Sequence, residues 1–364
     1  MRIAFRTDAS TEIGLGHAMR CLTLAELLCG HGGEALFVCR DHPGNMALDI
    51  TAAGHEVVLL PAREAEAAAS VHQLNNPYSA WLGASEETDA GETVNVLAPV
   101  RPAWLVADHF AIGAVWQKHV ASKLMTKVAV IDGLANRQHD CDMLLDPVFS
   151  EHPGRRWKGL VADDCLVFAG PRHAIIRPGF RKARQAPRPS QSNSRRLLIA
   201  FGGVDARNGT GLAVDAVSNL DPGTTQVDVV VGPGCPHLKD IIMRRGDHVH
   251  ISIHHRPKNL PELMAGADLA IGNGGTMMWE RCFMGLPSLV LAAGDNERSP
   301  AADLQALGAI RYLGSLSDLT PARLHEETRD LLGDTARLAS MRAACTRVGV
   351  GEDMSFIDRL LERE

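Results

Sequence analysis

The 364-residue chain carries a formal net charge of −6, with 45% apolar, 22% charged and only 4% aromatic residues. Its length exceeds what one hydrophobic core usually organises, so two domains are expected. The acidic balance argues against nucleic acid or an anionic membrane as partner, since either needs a basic face, and it favours a small-molecule substrate.

The N-terminus turns charged after three apolar residues, at Arg6, far short of a signal-peptide core, and no later apolar run approaches a membrane span. A cytoplasmic, monomeric protein is the expectation. Short apolar runs then alternate with longer periodic segments, the pattern of a parallel sheet with crossover helices. In the first half strands are predicted at residues 3–5, 35–39, 56–60, 104–108, 128–132 and 143–146, the last three closing on Asp108, Asp132 and Asp146. Residues 64–70, rich in Ala and Glu, read as an exposed helix.

Residues 181–196 are polar, basic and proline-bearing, with nothing periodic to pack, and are predicted as a linker. A second series of strands follows at residues 197–201, 227–231, 248–253, 269–271 and 288–291. The expected layout is a first domain over residues 1–180, a second over 197–345, and a C-terminal helix over 346–364 that crosses back to the first. Eight scattered cysteines form no Cys-x-x-Cys pair, which removes the usual zinc spacing and any disulfide framework, and they are read as reduced. His248, His250 and His254 alternate along one strand, but no Cys or carboxylate partner stands at a useful spacing for a metal.

Glycines at helix N-termini permit close approach of a ligand to free amides that favour anions. The first such turn holds Gly14 and Gly16 just before His17, which puts the imidazole within reach of a phosphate-bearing substrate. It lacks the third glycine of a dinucleotide fingerprint and any Walker lysine, and by itself reads equally as a turn packing strand against helix. The second domain opens with Gly202 and Gly203, then polar residues leading into a helix, again suited to a diphosphate. Farther on, Gly272, Gly274 and Gly275 precede a helix bearing Glu280. That carboxylate can accept both hydroxyl protons of a ribose, or can serve as a partner for Arg281 or the helix dipole. Asp295, Asn296, Glu297 and Arg298 occupy a late loop, where they face a ligand or cap the next helix.

Taken together, R-T-D-A-S-T-E-I-G-L-G-H from Arg6, G-G-V-D-A-R-N from Gly202, W-E-R-C-F-M-G-L-P from Trp279 and the D-N-E loop from Asp295 resemble the UDP-2,4-diacetamido-2,4,6-trideoxy-β-L-altropyranose hydrolases of pseudaminic acid biosynthesis. The likeness extends to W-L-G-A-S-E-E-T-D-A from Trp81, A-D-H-F from Ala107, H-D-C-D from His139, L-L-D-P from Leu144 and A-G-P-R-H-A-I-I-R-P from Ala169, spanning nearly the whole chain. That family is similar to nucleotide-sugar glycosyltransferases of the GT-B fold, notably the lipid II-forming N-acetylglucosaminyltransferase. The resemblance therefore implies an α/β, GT-B-like fold of two Rossmann-like parallel-sheet domains facing a central cleft. It implies Gly202 and Gly203 near the diphosphate, Gly274, Gly275 and Thr276 beside the phosphates, and Glu280 at the ribose. It further implies His17 as catalytic base, with Asn296 the corresponding asparagine of the late loop. On these motifs Asp8, Gly14, Gly16, Arg20, Asp108, Phe110 and Glu297 stand as candidate substrate-binding residues.

The implied activity is hydrolysis of a UDP-sugar to UDP and free sugar. His17 takes a proton from water that attacks the anomeric carbon, and the C–O bond breaks with inversion. UDP is already a good leaving group, so no cofactor or metal is called for. Three positions depart from the family: Phe110 stands for a common Tyr, Gly133 for a common Asp, and Glu297 for a common Gln. A UDP-sugar glycosyltransferase on the same fold, or a catalytically weak nucleotide-sugar-binding module, are the rival readings.

Overall fold

The computed structural model describes residues 1–62, 76–186 and 194–362. The chain divides into two compact units, Met1–Ile175 with Glu352–Glu364, and Ile176–Gly351. In the first unit the strands are β1 (Arg2–Thr7), β2 (Glu34–Arg40), β3 (Glu56–Leu60), β4 (Trp104–Asp108), β5 (Lys127–Ile131), β6 (Met143–Asp146) and β7 (Leu166–Ala169). They pair in parallel in the order β3-β2-β1-β4-β5-β6-β7. The second unit holds β8 (Arg195–Ala200), β9 (Thr225–Val231), β10 (Ile251–His255), β11 (Leu269–Asn273), β12 (Ser288–Ala292) and β13 (Arg311–Ser315). These are parallel in the order β10-β9-β8-β11-β12-β13. Each unit is thus a Rossmann-like sheet whose strand order reverses once, between β1 and β4 and between β8 and β11. The carboxyl edge at such a reversal is where sheets of this kind bind ligands.

Central strands covered on both faces read as unbroken apolar runs. Ile3, Ala4 and Phe5 of β1, and Leu197, Leu198 and Ile199 of β8, are accordingly buried. Alternate residues feed opposite layers: Ile3 and Phe5 pack with helix Gly16–Cys29, while Ala4 joins Trp116 and Val120 of helix Ala114–Leu124. Two strands escaped the sequence reading, β7 and β13. Both are short, partly exposed edge strands: β7 is an apolar run of only four residues, and β13 is broken by Arg311 and Gly314.

The boundaries differ from the expected ones in two places. The predicted linker at 181–196 begins inside a helix, Pro178–Gln185, which buries Phe180 and Ala183 and packs on helix Leu260–Gly266 of the second unit. Its lysines and arginines form the polar side of an amphipathic turn, with the Arg177 guanidinium 4.7 Å over Phe180 and that of Arg184 4.6 Å over Phe283. Positions 187–193 of that linker, and the Ala/Glu-rich stretch at 64–70, lie outside the described residues. The segment 346–364 is not one helix. Helix Thr335–Val348 stops at Gly349, whose φ of 65° is left-handed, and a separate helix, Ser355–Leu361, places Phe356, Ile357 and Leu360 in the core of the first unit.

Asp146, at the end of β6, shows how tightly this edge is built. Its carboxylate accepts from Arg156 Nη1 at 2.6 Å, Trp157 Nε1 at 2.9 Å and Val148 N at 2.9 Å. Burial outweighs these donors and pushes the carboxyl up to about 6. A folded-state value above the unfolded one means that the site's contribution to stability is complete below about pH 4 and is lost as pH rises through about 6. Urea unfolding of the wild type and Asp146→Asn between pH 4 and 7 should show the wild type losing up to about 3 kcal/mol relative to the variant as pH rises.

Candidate active site

Gly14 turns the chain at the carboxyl edge of the first sheet, with φ +80° and its N–H bonded to Ser10 O at 2.9 Å. Helix Gly16–Cys29 starts there, and His17 and Ala18 with Gly16 form the leading turn, whose amides lack an intrahelical acceptor. His17 and Arg20 stand three residues apart, hence on one face, and both reach Asp108 at the end of β4. His17 Nδ1 lies 2.6 Å from Asp108 Oδ1. Arg20 forks onto the same carboxylate, Nε to Oδ2 at 2.7 Å and Nη2 to Oδ1 at 2.7 Å.

Burial works to raise the Asp108 carboxyl, but the charges of Arg20 and then His17 outweigh it and hold it below the ordinary range. An ionised carboxylate accepts from Nδ1–H, so the neutral imidazole carries its lone pair on Nε2. The ring is held edge-on against Phe110, centroids 4.5 Å apart at 90°, with Trp81 6.4 Å away, and its side chain is 9% exposed. The arrangement holds the His17 ring in one orientation. Arg20 positions Asp108 through Nε and Nη2.

Asp8 is engaged within the protein. Arg6 and Asp8 share one face of β1, and Asp8 Oδ1 accepts from Arg6 Nη1 at 2.7 Å and Arg40 N at 2.6 Å. His109 Nε2 lies 3.2 Å from Asp8 Oδ2, and all three side chains are buried. Asp8 is therefore a node of the core. Asp108 and His109 do not pair with each other: Asp108 turns to His17 and Arg20, and His109 to Asp8. Gly133 fills a tight position, since a Cβ there would stand 2.7 Å from Val148 Cγ2, and a side chain at this position demands a different neighbour.

In the second unit Gly202, with φ +93°, and Gly203 follow β8, and a Cβ on Gly232 would come within 2.4 Å of both their carbonyl oxygens. The next helix, Gly209–Val217, does not offer its N-terminus to a diphosphate. Asp205 accepts from Gly209 N at 2.8 Å and Thr210 N at 2.9 Å, and Asn208 Oδ1 accepts from Gly211 N at 3.0 Å. Short polar side chains have taken the amides that the sequence suggested for a ligand.

Helix Thr276–Phe283 is different: its N-cap is Gly275 and no side chain caps it. Met278 N bonds back to Gly275 O at 2.8 Å, leaving Thr276 and Met277 as the leading amides. Glu297 braces the preceding loop from below, accepting from Ala293 N at 2.8 Å, Asn273 Nδ2 at 2.8 Å and Gly274 N at 3.2 Å. Burial raises its carboxyl. Glu297 thus positions this loop, and it is the acceptor of the Gly274 amide. Glu280 is buried and held bidentately by Arg177, Nε to Oε1 at 2.6 Å and Nη2 to Oε2 at 2.7 Å. Arg281 instead turns to Asn273 O at 2.5 Å. Asn296 is half-buried in the turn Asp295–Glu297, folded over Gly294. Among the described residues no group of three or more His, Cys, Asp or Glu could hold a metal ion, and no helix is long and apolar enough to cross a membrane.

The structure unites His17, Arg20, Asp108 and Phe110 in the first unit, and Gly275, Thr276, Glu280 and Glu297 around one helix start in the second. Sequence reasoning missed Arg177 on Glu280, and Trp81 beside His17. A single arginine 103 positions from its acid gives no local signal.

No family model matches the chain. It is 25% identical over 308 residues to an uncharacterized protein of Methanocaldococcus jannaschii, covering 82% of this chain and 57% of that one. It is 27% identical over 162 residues to the spore coat polysaccharide biosynthesis protein SpsG of Bacillus subtilis, covering 44% of this chain and 47% of SpsG. The UDP-N-acetylglucosamine–N-acetylmuramyl-(pentapeptide) pyrophosphoryl-undecaprenol N-acetylglucosamine transferase of Rhodopseudomonas palustris is 30% identical over 183 residues, 46% of this chain and 47% of the enzyme. The chain thus spans about half the length of the curated relatives it matches. Among solved structures, the spinosyn rhamnosyltransferase SpnG superposes with a TM-score of 0.69 at 17% identity, covering 100% of both chains. MurG of Acinetobacter baumannii does so with a TM-score of 0.63 at 14% identity, covering 99% of both. With a single strand-order reversal in each of two parallel sheets, the chain has the fold of the GT-B glycosyltransferases.

Proposed function

We propose that this protein hydrolyses UDP-2,4-diacetamido-2,4,6-trideoxy-β-L-altropyranose, or a close UDP-sugar, to UDP and the free sugar, as in pseudaminic acid biosynthesis. The observation that carries this reading is the Arg20–Asp108–His17 chain, which fixes one imidazole tautomer at the carboxyl edge of the first sheet. Asp108 holds the Nδ1 proton, and His17 Nε2 takes a proton from water as the water oxygen bonds to the anomeric carbon. The anomeric C–O bond to the diphosphate breaks, and the sugar leaves with inverted configuration. Within the second unit, the amides of Thr276 and Met277 and the Thr276 hydroxyl suit a diphosphate, at a helix start without a side-chain cap. Glu280, already charge-balanced by Arg177, accepts from the ribose without opposing the phosphates.

A second reading is favoured by the transferase names among the relatives: the same base could deprotonate an acceptor hydroxyl. Incubation with the trideoxy UDP-sugar in the absence of any acceptor separates the two. Hydrolysis predicts free sugar and UDP in equal amounts from the first turnovers; UDP release that waits for an added acceptor sugar supports the transferase instead.

A further inference from the structure

We propose that Cys141 and Cys165 form a redox-modification site, a dithiol that a two-electron peroxide oxidant closes to a disulfide. Their sulfurs lie 3.7 Å apart in the reduced chain. They sit just before β6 and β7, which pair in parallel with Met143 opposite Leu166. Leu166 N donates to Asp142 O at 2.9 Å, so the backbone brings the two cysteine positions alongside each other. The register leaves the two cysteines one position out of step on chains about 4.8 Å apart, which still keeps their Cα atoms inside the window of about 4.4–6.8 Å that a disulfide spans, so rotation about the side-chain bonds can close the gap between the sulfurs.

The site is selective as well as close. Cys165 is partly exposed, flanked by exposed Asp164 and Leu166, whereas its neighbour Cys141 is buried. Cys29 and Cys235 are also partly exposed, but burial raises both thiols. Cys21, Cys39, Cys282 and Cys345 are buried. A peroxide reaches the partly exposed sulfur before the buried one, so Cys165 reacts first. Its sulfur attacks one peroxide oxygen, an S–O bond forms as O–O breaks, and hydroxide leaves and becomes water, giving a sulfenic acid. The Cys141 sulfur then attacks the Cys165 sulfur and loses its proton. The S–S bond forms as S–O breaks, and the second oxygen leaves as water. Two thiols are oxidised and one peroxide is reduced to two waters.

The test treats reduced full-length protein with hydrogen peroxide and follows intact mass and alkylation of remaining thiols by peptide mapping. The expected first product has lost about 2 Da, joins the peptides bearing Cys141 and Cys165, and regains both thiols with dithiothreitol. Cys165→Ser abolishes that product, and Cys141→Ser leaves a sulfenic acid on Cys165 that dimedone traps. First oxidation at another cysteine, or conversion of Cys165 to a sulfinic acid with Cys141 still alkylatable, overturns the proposal.

Discussion

Replacing His17 by Asn or Ala lowers turnover of the UDP-sugar by about a hundredfold to ten-thousandfold, the usual contribution of a general base, and leaves UDP affinity nearly unchanged. The separation follows from where the parts lie. His17 belongs to the first unit, while the helix start and Glu280 assigned to the nucleotide belong to the second. Steady-state kinetics together with calorimetric titration of UDP measure both quantities on one preparation. Full turnover in the His17 variants would remove the imidazole from the reaction. Loss of UDP binding alongside turnover would show that His17 serves the nucleotide and not water. Asp108→Asn keeps the shape but withdraws the anion that receives Nδ1–H, so it should lower turnover in the same direction.

Asp89→Ala destabilises the protein by about 3–5 kcal/mol, read as a fall in the urea midpoint. Asp89 is buried in helix Glu86–Leu97 and answers four donors. Arg6 donates to it through Nε at 3.0 Å and Nη2 at 2.6 Å, Arg40 through Nη2 at 2.6 Å, and Trp116 through Nε1 at 2.9 Å. Both arginines are buried, so truncating the acid strands two cations whose remaining partners among the described residues are Asp8 for Arg6, and Glu92 with Pro61 O for Arg40. Burial raises the Asp89 carboxyl, but Arg6 and Arg40 more than offset it, so the anion is the form that holds the network. A variant of unchanged midpoint would mean that water or movement of the helix solvates both guanidinium groups.

The parallel sheets were legible because central strands of this kind are apolar on both faces and fall between helical stretches of steady period. Edge strands β7 and β13 were not, because half their surface meets solvent. His17 could be singled out from its place after Gly14 and Gly16, and Asp108 from its place at a strand end. Their contact, across 91 positions, is a product of β4 lying beside β1 and leaves no trace in local pattern. The same limit applies to candidate ligand contacts whose side chains are bonded within the protein. Asp8 and Glu297 have polar side chains in glycine-bearing loops, which is as typical of a loop brace as of a binding group. Only the partners decide, and here these are Arg6 and Arg40 N for one, and Gly274 N, Ala293 N and Asn273 for the other. Asp205 and Asn208 are a further case, since a helix start rich in Asp and Asn is more often self-capped than open to anions.

The central claim is attack by water on the sugar carbon, and oxygen-18 water tests it most directly. A single turnover of the trideoxy UDP-sugar in labelled water, quenched and analysed by mass spectrometry, should place the heavy oxygen on the anomeric hydroxyl of the sugar and none on UDP. Label recovered in the diphosphate would show attack at phosphorus and contradict the account.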